Sequence, residues 1–196
     1  DVAVRGGGHN VAGRATIDKG LMIDLSPMKG IYVDARAKTA RAQGGVLWKE
    51  LNRETQLHGL ATTGGVVGST GIAGLTLGGG LGWLMPKYGL ALDNLRSADI
   101  VAADGKVLRA SADENPDLFW AIRGGGGNFG VATRFKFQLY PVDTIVGGML
   151  MLPATPDVIA SFIAAAEAAP DELSTIANVM PAPPMPFIPA DKHGQL

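Results

Sequence analysis

Hydrophobic positions along this chain come in short runs cut by Gly, Pro and Asp, and their spacing switches between the strand and helix periods. Residues 2–4 read as the end of a buried strand that delivers the chain into Arg5-Gly6-Gly7-Gly8-His9-Asn10. Apolar or alternating runs at 21–25, 31–33 and 39–42 predict three more strands. Residues 48–57 carry helical spacing with their charges on the far face. The stretch 66–92 is too glycine-dense for an ordinary helix and too apolar for a solvated loop, so burial is expected.

A hairpin signal follows, with strands at 97–103 and 106–110 around the turn Asp104-Gly105. Asn115-Pro116 marks an N-cap and a first helical proline for a helix reaching Ile122, and 131–139 reads as a strand. After Pro141 the composition turns from glycine-rich to alanine- and proline-rich. A first domain over 1–142 and the beginning of a second over 143–196 are expected. The second carries a strand at 148–152, a helix capped by Thr155-Pro156 and running to about Ala168, and a strand near 174–179. The expected fold class is α+β, mixed sheets with flanking helices followed by the start of an α/β unit. Because Asp1 opens in mid-strand, the chain reads as a fragment of a longer protein.

Composition narrows the setting. The chain has 196 residues, 46% hydrophobic and 18% charged, enough to bury a sizeable core. Its 28 glycines are about twice ordinary usage without a collagen period, so many positions need unusual backbone or close approach. A net charge of −1 with no basic stripe argues against a nucleic-acid partner. The absence of cysteine removes disulfide scaffolds, thiolate zinc sites and cysteine nucleophiles. No stretch is long and apolar enough to predict a membrane span. The compartment is undetermined, with the cytoplasm favoured over secretion.

The glycine loop at 6–8 has two readings, a tight turn after a strand or an anion cradle. Three successive glycines let backbone N–H groups converge on an anion, Arg5 adds positive charge, and a turn alone asks for neither Arg5 nor His9-Asn10. Gly125-Gly126-Gly127-Asn128-Phe129-Gly130 fits G-x-G-x-x-G formally, but it follows a helix and leads into a strand, the reverse of the Rossmann order. No P-loop follows Gly105-Lys106, and His9, His58 and His193 lie too far apart for a metal site. His58 is expected at a helix C-terminus on the surface and His193 in a solvated loop, with Trp83 and Trp120 as core anchors.

Several separate glycine segments remain, suggesting a long polar ligand threaded between backbone segments. Arg-Gly-Gly-Gly-His-Asn at 5–10, the run from Gly71 to Gly82, Lys87-Tyr88-Gly89-Leu90 with Asp93-Asn94, Asn115 to Ala121, and Arg123 to Gly130 occur in that order. Together they resemble the FAD-linked oxidases of the vanillyl-alcohol oxidase superfamily, with a PCMH-type FAD-binding domain, in the berberine-bridge-enzyme-like branch. The likeness covers residues 1 to about 142, and the tail resembles the start of that family's substrate domain.

The resemblance implies FAD in an extended pose, held by Arg5, Gly6, Gly7, Gly8, His9, Asn10 and Gly13 on the first loop. Thr70, Gly71, Gly74, Thr76, Leu77, Gly78, Gly80 and Gly82 would follow on the second segment, then Tyr88, Gly89, Asn94, Gly130 and Val131. His9 aligns with the histidine that members bond to the flavin 8α-methyl. The oxidised ring acidifies that methyl, and a neutral imidazole nitrogen held against it is a competent nucleophile. The other reading of His9 is a hydrogen-bonding residue beside non-covalent FAD. Val67 stands where bicovalent members carry cysteine, so attachment through His9 only is implied; Thr70 replaces a small valine that tunes oxygen access in some relatives, and Leu81 replaces the tyrosine of plant members.

The implied activity is an FAD-dependent oxidoreductase, an oxidase or dehydrogenase taking hydride from a small alcohol, sugar or secondary metabolite, with oxygen the expected acceptor. A small-molecule substrate is the only partner implied, with no nucleic acid and no membrane. The catalytic base is not identified: Tyr88 is the one candidate, and its other reading is a packing residue of the glycine segment. Competing readings are a catalytically silent FAD-binding module and a non-covalent flavin reductase of related fold, which would not need His9.

Overall fold

The computed structural model describes residues 1–195. They form a mixed α and β protein that divides into two compact units, one spanning Asp1–Thr144 and one starting at Ile145. In the first unit β1 (Val2–Arg5) pairs in parallel with β2 (Leu21–Asp24). Then come β3 (Ile31–Asp34), β4 (Thr39–Gln43), α1 (Trp48–Gln56), β5 (Leu60–Ala61), α2 (Ile72–Leu77) and α3 (Met85–Tyr88). After them lie β6 (Leu95–Val101), β7 (Val107–Ser111), α4 (Pro116–Ala121), β8 (Val131–Gln138) and β9 (Tyr140–Pro141). A five-stranded antiparallel sheet runs in the order β3-β4-β8-β6-β7, and β5 pairs with β9. The second unit contains the helix α5 (Pro156–Glu167).

The core lies on one face of the five-stranded sheet, where period-two alternation points Ala40, Ala42, Ala98, Ile100, Phe135 and Phe137 inward. Helix α1 covers it because Trp48, Leu51 and Thr55 share one helical face, and all three are buried. Trp48 meets Phe137 with ring centroids 5.7 Å apart, and burying each such aromatic contributes about 1.5–3 kcal/mol. The start of α1 is fixed by Glu50, whose carboxylate accepts from the Leu47 N–H at 2.7 Å and pairs with Lys29 at 2.8 Å.

Several sequence-based expectations are corrected. Residues 2–4 do form a strand, but in a two-stranded ribbon that buries only Ala3 among them. The 66–92 stretch contains two short helices, α2 and α3, with Ile72, Ala73 and Thr76 buried and Val66 and Val67 exposed. Asn115 does precede α4, but at φ 50° its side chain turns away from the helix, and Nδ2 donates to the Arg109 carbonyl at 2.7 Å. Thr155 caps α5 as expected, its hydroxyl accepting from the Val158 N–H.

No strand forms at 148–152 or 174–179 among the described residues, because neither segment has a neighbouring strand to take up its backbone groups. Trp83 and Trp120 are 49% and 75% exposed and do not anchor the core; Trp83 follows Gly82 just before α3, and on α4 it is the preceding Phe119 that is buried. His58 is exposed just past the end of α1, whereas His193 is half-buried with Nε2 3.0 Å from the Ile188 carbonyl. No helix among the described residues is long and apolar enough to cross a membrane.

Candidate functional site

The site begins where β1 runs out. Arg5 ends the strand, its carbonyl accepting from Leu25 N–H at 2.8 Å, and the chain enters the loop Gly6 to Asn10. Gly8 takes φ +72°, a left-handed conformation that favours glycine, and the Arg5 guanidinium lies under it. Asp24, opposite Arg5 across the ribbon, has its carboxyl held below the usual carboxylate range by the N–H and hydroxyl of Ser26, with Arg5 adding to the effect. The N–H groups of Gly7, Gly8, His9 and Asn10 donate to no protein acceptor among the described residues. Gly13 closes the loop, its N–H donating to the Asn10 carbonyl at 3.0 Å.

A second segment packs directly on this loop. Ile72 N–H donates to the Val46 carbonyl and Trp48 N–H to the Thr70 carbonyl, which pins residues 70–72 beside the start of α1. A Cβ on Gly7 would strike the backbone of Gly71, and one on Gly71 would strike Gly7, so the two backbones touch where no side chain fits. His9 Nε2 lies 2.9 Å from the Ser69 hydroxyl. Ser69 was not among the residues singled out from sequence; its only signal is a hydroxyl residue placed just before Thr70-Gly71.

Helix α2 carries Gly74 on its exposed side, and its end passes through Leu77 and Gly78, whose N–H donates to the Gly74 carbonyl at 3.2 Å. Thr76 is fully buried, and its hydroxyl has no hydrogen-bond partner among the described residues. The Leu77 carbonyl accepts from Gly124 N–H at 2.9 Å, joining α2 to the glycine cluster after α4. Gly80, at φ +89°, has no room for a Cβ against Ala91 and Leu75, and Gly82 none against the Gly64 carbonyl.

The third segment meets the second through Ala91 and Leu92, whose N–H groups donate to the Gly80 and Gly79 carbonyls at 2.9 Å. Buried Asn94 ties it together, Nδ2 donating to the Tyr88 and Leu90 carbonyls at 2.9 and 2.8 Å around Gly89. The Asn94 Oδ1 is left without a partner. Tyr88 stacks on Tyr140 with centroids 4.0 Å apart and planes 10° from parallel, and Lys87 Nζ is 5.7 Å from its ring. Gly130 and Val131 open β8 against Val101 of β6, away from the other three groups in the contacts observed.

The structure therefore joins the first loop to residues 69–73, and the second segment to the third and to Gly124. Unbonded amides, a guanidinium and buried unpaired oxygens are groups whose hydrogen bonds a polar ligand with acceptors and donors of its own would satisfy. Among the described residues no group of three or more His, Asp or Glu is placed to hold a metal ion.

Residues 1–111 match the family model of the FAD binding domain. The chain is 44% identical over 160 residues to (R)-6-hydroxynicotine oxidase of Paenarthrobacter nicotinovorans, covering 81% of this chain and 35% of that protein. It is 47% identical over 150 residues to an FAD-linked oxidoreductase of Aspergillus terreus, covering 76% and 30% of the two. Among solved structures, 6-hydroxy-D-nicotine oxidase from Arthrobacter nicotinovorans superposes with a TM-score of 0.70 at 48% identity, over 71% of this chain and 31% of that one. A chitooligosaccharide oxidase gives a TM-score of 0.67 at 34% identity, over 71% and 30%. The chain spans about a third of the length of the curated relatives it matches.

Proposed function

The chain belongs to the FAD binding domain family, and on that premise we propose that it is the cofactor-holding part of an FAD-dependent oxidase acting on a small organic molecule, with dioxygen as acceptor. The observation that carries this reading is the back-to-back meeting of Gly7 and Gly71, which sets the unbonded amides of the first loop beside Ser69 and α2. The residues present fit FAD: amides and Arg5 suit a diphosphate, and Thr76 Oγ1 and Asn94 Oδ1 are buried oxygens with unmet hydrogen bonds.

When bound, FAD supplies the hydride acceptor of the reaction. Arg5 with the Gly7 to Asn10 amides would offset the diphosphate charge, and no side chain intrudes between the two glycine backbones. His9 would tether the flavin. In the tautomer whose Nε2–H donates to Ser69 Oγ, Nδ1 keeps its lone pair and would be the nitrogen available to the 8α-methyl of a bound flavin. Attachment would be through His9 alone, since Val67 stands where bicovalent members of the resembled family carry cysteine. Tyr88, engaged face to face with Tyr140, serves to hold the third segment in place. The substrate belongs to the alcohol, sugar, amine or secondary-metabolite classes on which oxidases of this kind act.

The test is the visible absorption spectrum of the full-length protein, followed by acid denaturation and in-gel fluorescence. Flavin retained on the denatured band supports the tethered oxidase. Flavin released into the supernatant points instead to a non-covalent flavin reductase, and a colourless protein that takes up no FAD overturns the assignment.

A further inference from the structure

The face of the five-stranded sheet turned away from the core carries an excess of positive charge in a chain whose net charge is −1. Register places these residues in two rows across the strands. In the first, Arg41 of β4 stands opposite Lys136 of β8, which stands opposite Ser97 of β6. In the second, Arg134 of β8 and Arg109 of β7 flank Asp99 of β6. Asp99 is the one carboxylate in the group and pairs with Arg134 at 3.3 Å. Among the described residues, no carboxylate forms a salt bridge with Arg41, Arg109 or Lys136.

Like charges directly opposite on neighbouring strands destabilise a sheet, and Arg41 against Lys136 is such a pair. These side chains surround a depression of about 100 Å³ that the buried Ser97 also lines. Guanidinium groups match phosphate oxygens two at a time, and the small volume suits one tetrahedral group rather than a nucleotide.

We propose that this face binds a phosphate group, with Arg41, Arg109 and Lys136 supplying the charge and the Ser97 hydroxyl a further hydrogen bond. The site is separate from the glycine loops, so the assignment does not depend on the flavin reading. Its source is either free inorganic phosphate or the phosphate of a small organic ester.

The experiment titrates the full-length protein with inorganic phosphate and with phenyl phosphate by calorimetry, with and without saturating FAD. Binding with a dissociation constant of about a millimolar at low ionic strength is expected, and FAD is expected not to compete with it. Phenyl phosphate binding tenfold or more above inorganic phosphate identifies an organic ester, and equal binding identifies the free ion. Arg41→Ser with Lys136→Thr weakens binding at least tenfold, while Asp99→Asn, which removes the competing carboxylate, tightens it about threefold. Loss of folding cannot produce that opposite pair of changes. The proposal is overturned by phosphate binding that FAD abolishes, by binding unchanged in the double variant, by no binding at about 10 mM phosphate, or by a polyglutamate peptide displacing the anion.

Discussion

The His9 imidazole meets the Ser69 hydroxyl across 60 residues of sequence, Nε2 to Oγ at 2.9 Å. This bond fixes the ring orientation and engages Nε2, leaving Nδ1 facing away from Ser69. Ser69→Ala therefore lowers the fraction of flavin that stays on the protein after acid denaturation, by severalfold or more, while FAD is still bound before denaturation. His9→Ala abolishes retention. In-gel fluorescence and absorbance of the supernatant read both, and full retention in Ser69→Ala would remove Ser69 from its positioning role.

Gly71→Ala tests the contact between the two backbones. A Cβ there collides with Gly7, and overpacking of this kind costs about 1–3 kcal/mol. The expected outcome is a lower melting temperature in the apo-protein together with loss of FAD uptake. Gly74→Ala, where a Cβ meets no protein atom, leaves the melting temperature of the apo-protein near wild type.

Asn94→Ala strips two hydrogen bonds from the Tyr88 and Leu90 carbonyls and costs about 1–3 kcal/mol of stability. Denaturant unfolding measures the loss.

Tyr88→Phe separates chemistry from packing. The stacked ring survives, so the rate of flavin reduction stays within about twofold of wild type by stopped-flow absorbance, whereas Tyr88→Ala removes the contact with Tyr140 and weakens the segment. A large rate loss in Tyr88→Phe would make the phenol a participant in proton transfer.

The Glu50 carboxyl sits partly sheltered, which by itself raises its proton affinity, but hydrogen bonds from Lys29 and the Leu47 N–H outweigh this and hold it below the ordinary value of 4.5. Its folded state thus holds the proton more weakly than the unfolded chain does. The stability it contributes is fully present above pH 4.5 and is lost as the pH falls through the lower, folded value. Glu50→Gln flattens that part of the acid limb, as melting temperatures recorded across about pH 3 to 7 would show. The difference between the two proteins shrinks toward the acid end.

Much of the first unit was legible in local pattern. The alternation in 39–43 and 131–138, the Asp104-Gly105 turn and the helical face of Trp48, Leu51 and Thr55 each encode their element within a few residues. The glycine loop after β1 was legible as a break in regular structure, and Arg5 and His9 beside it are what raised the cradle reading. What escaped depends on partners distant in sequence. Ser69 gains meaning only from His9, and 148–152 has strand composition without a strand beside it. Trp83 and Trp120 look like core residues by type, yet exposure is decided by which face the neighbours leave open.

The junction of Gly7 with Gly71 also orders events in the life of the protein. Each half of the cradle is useless without the other, and closing so long a loop is a late and entropically costly act of folding. Yellow colour is consequently expected to report finished tertiary structure, and resistance to protease is expected to rise with FAD uptake, since a ligand that binds only the completed state stabilises it.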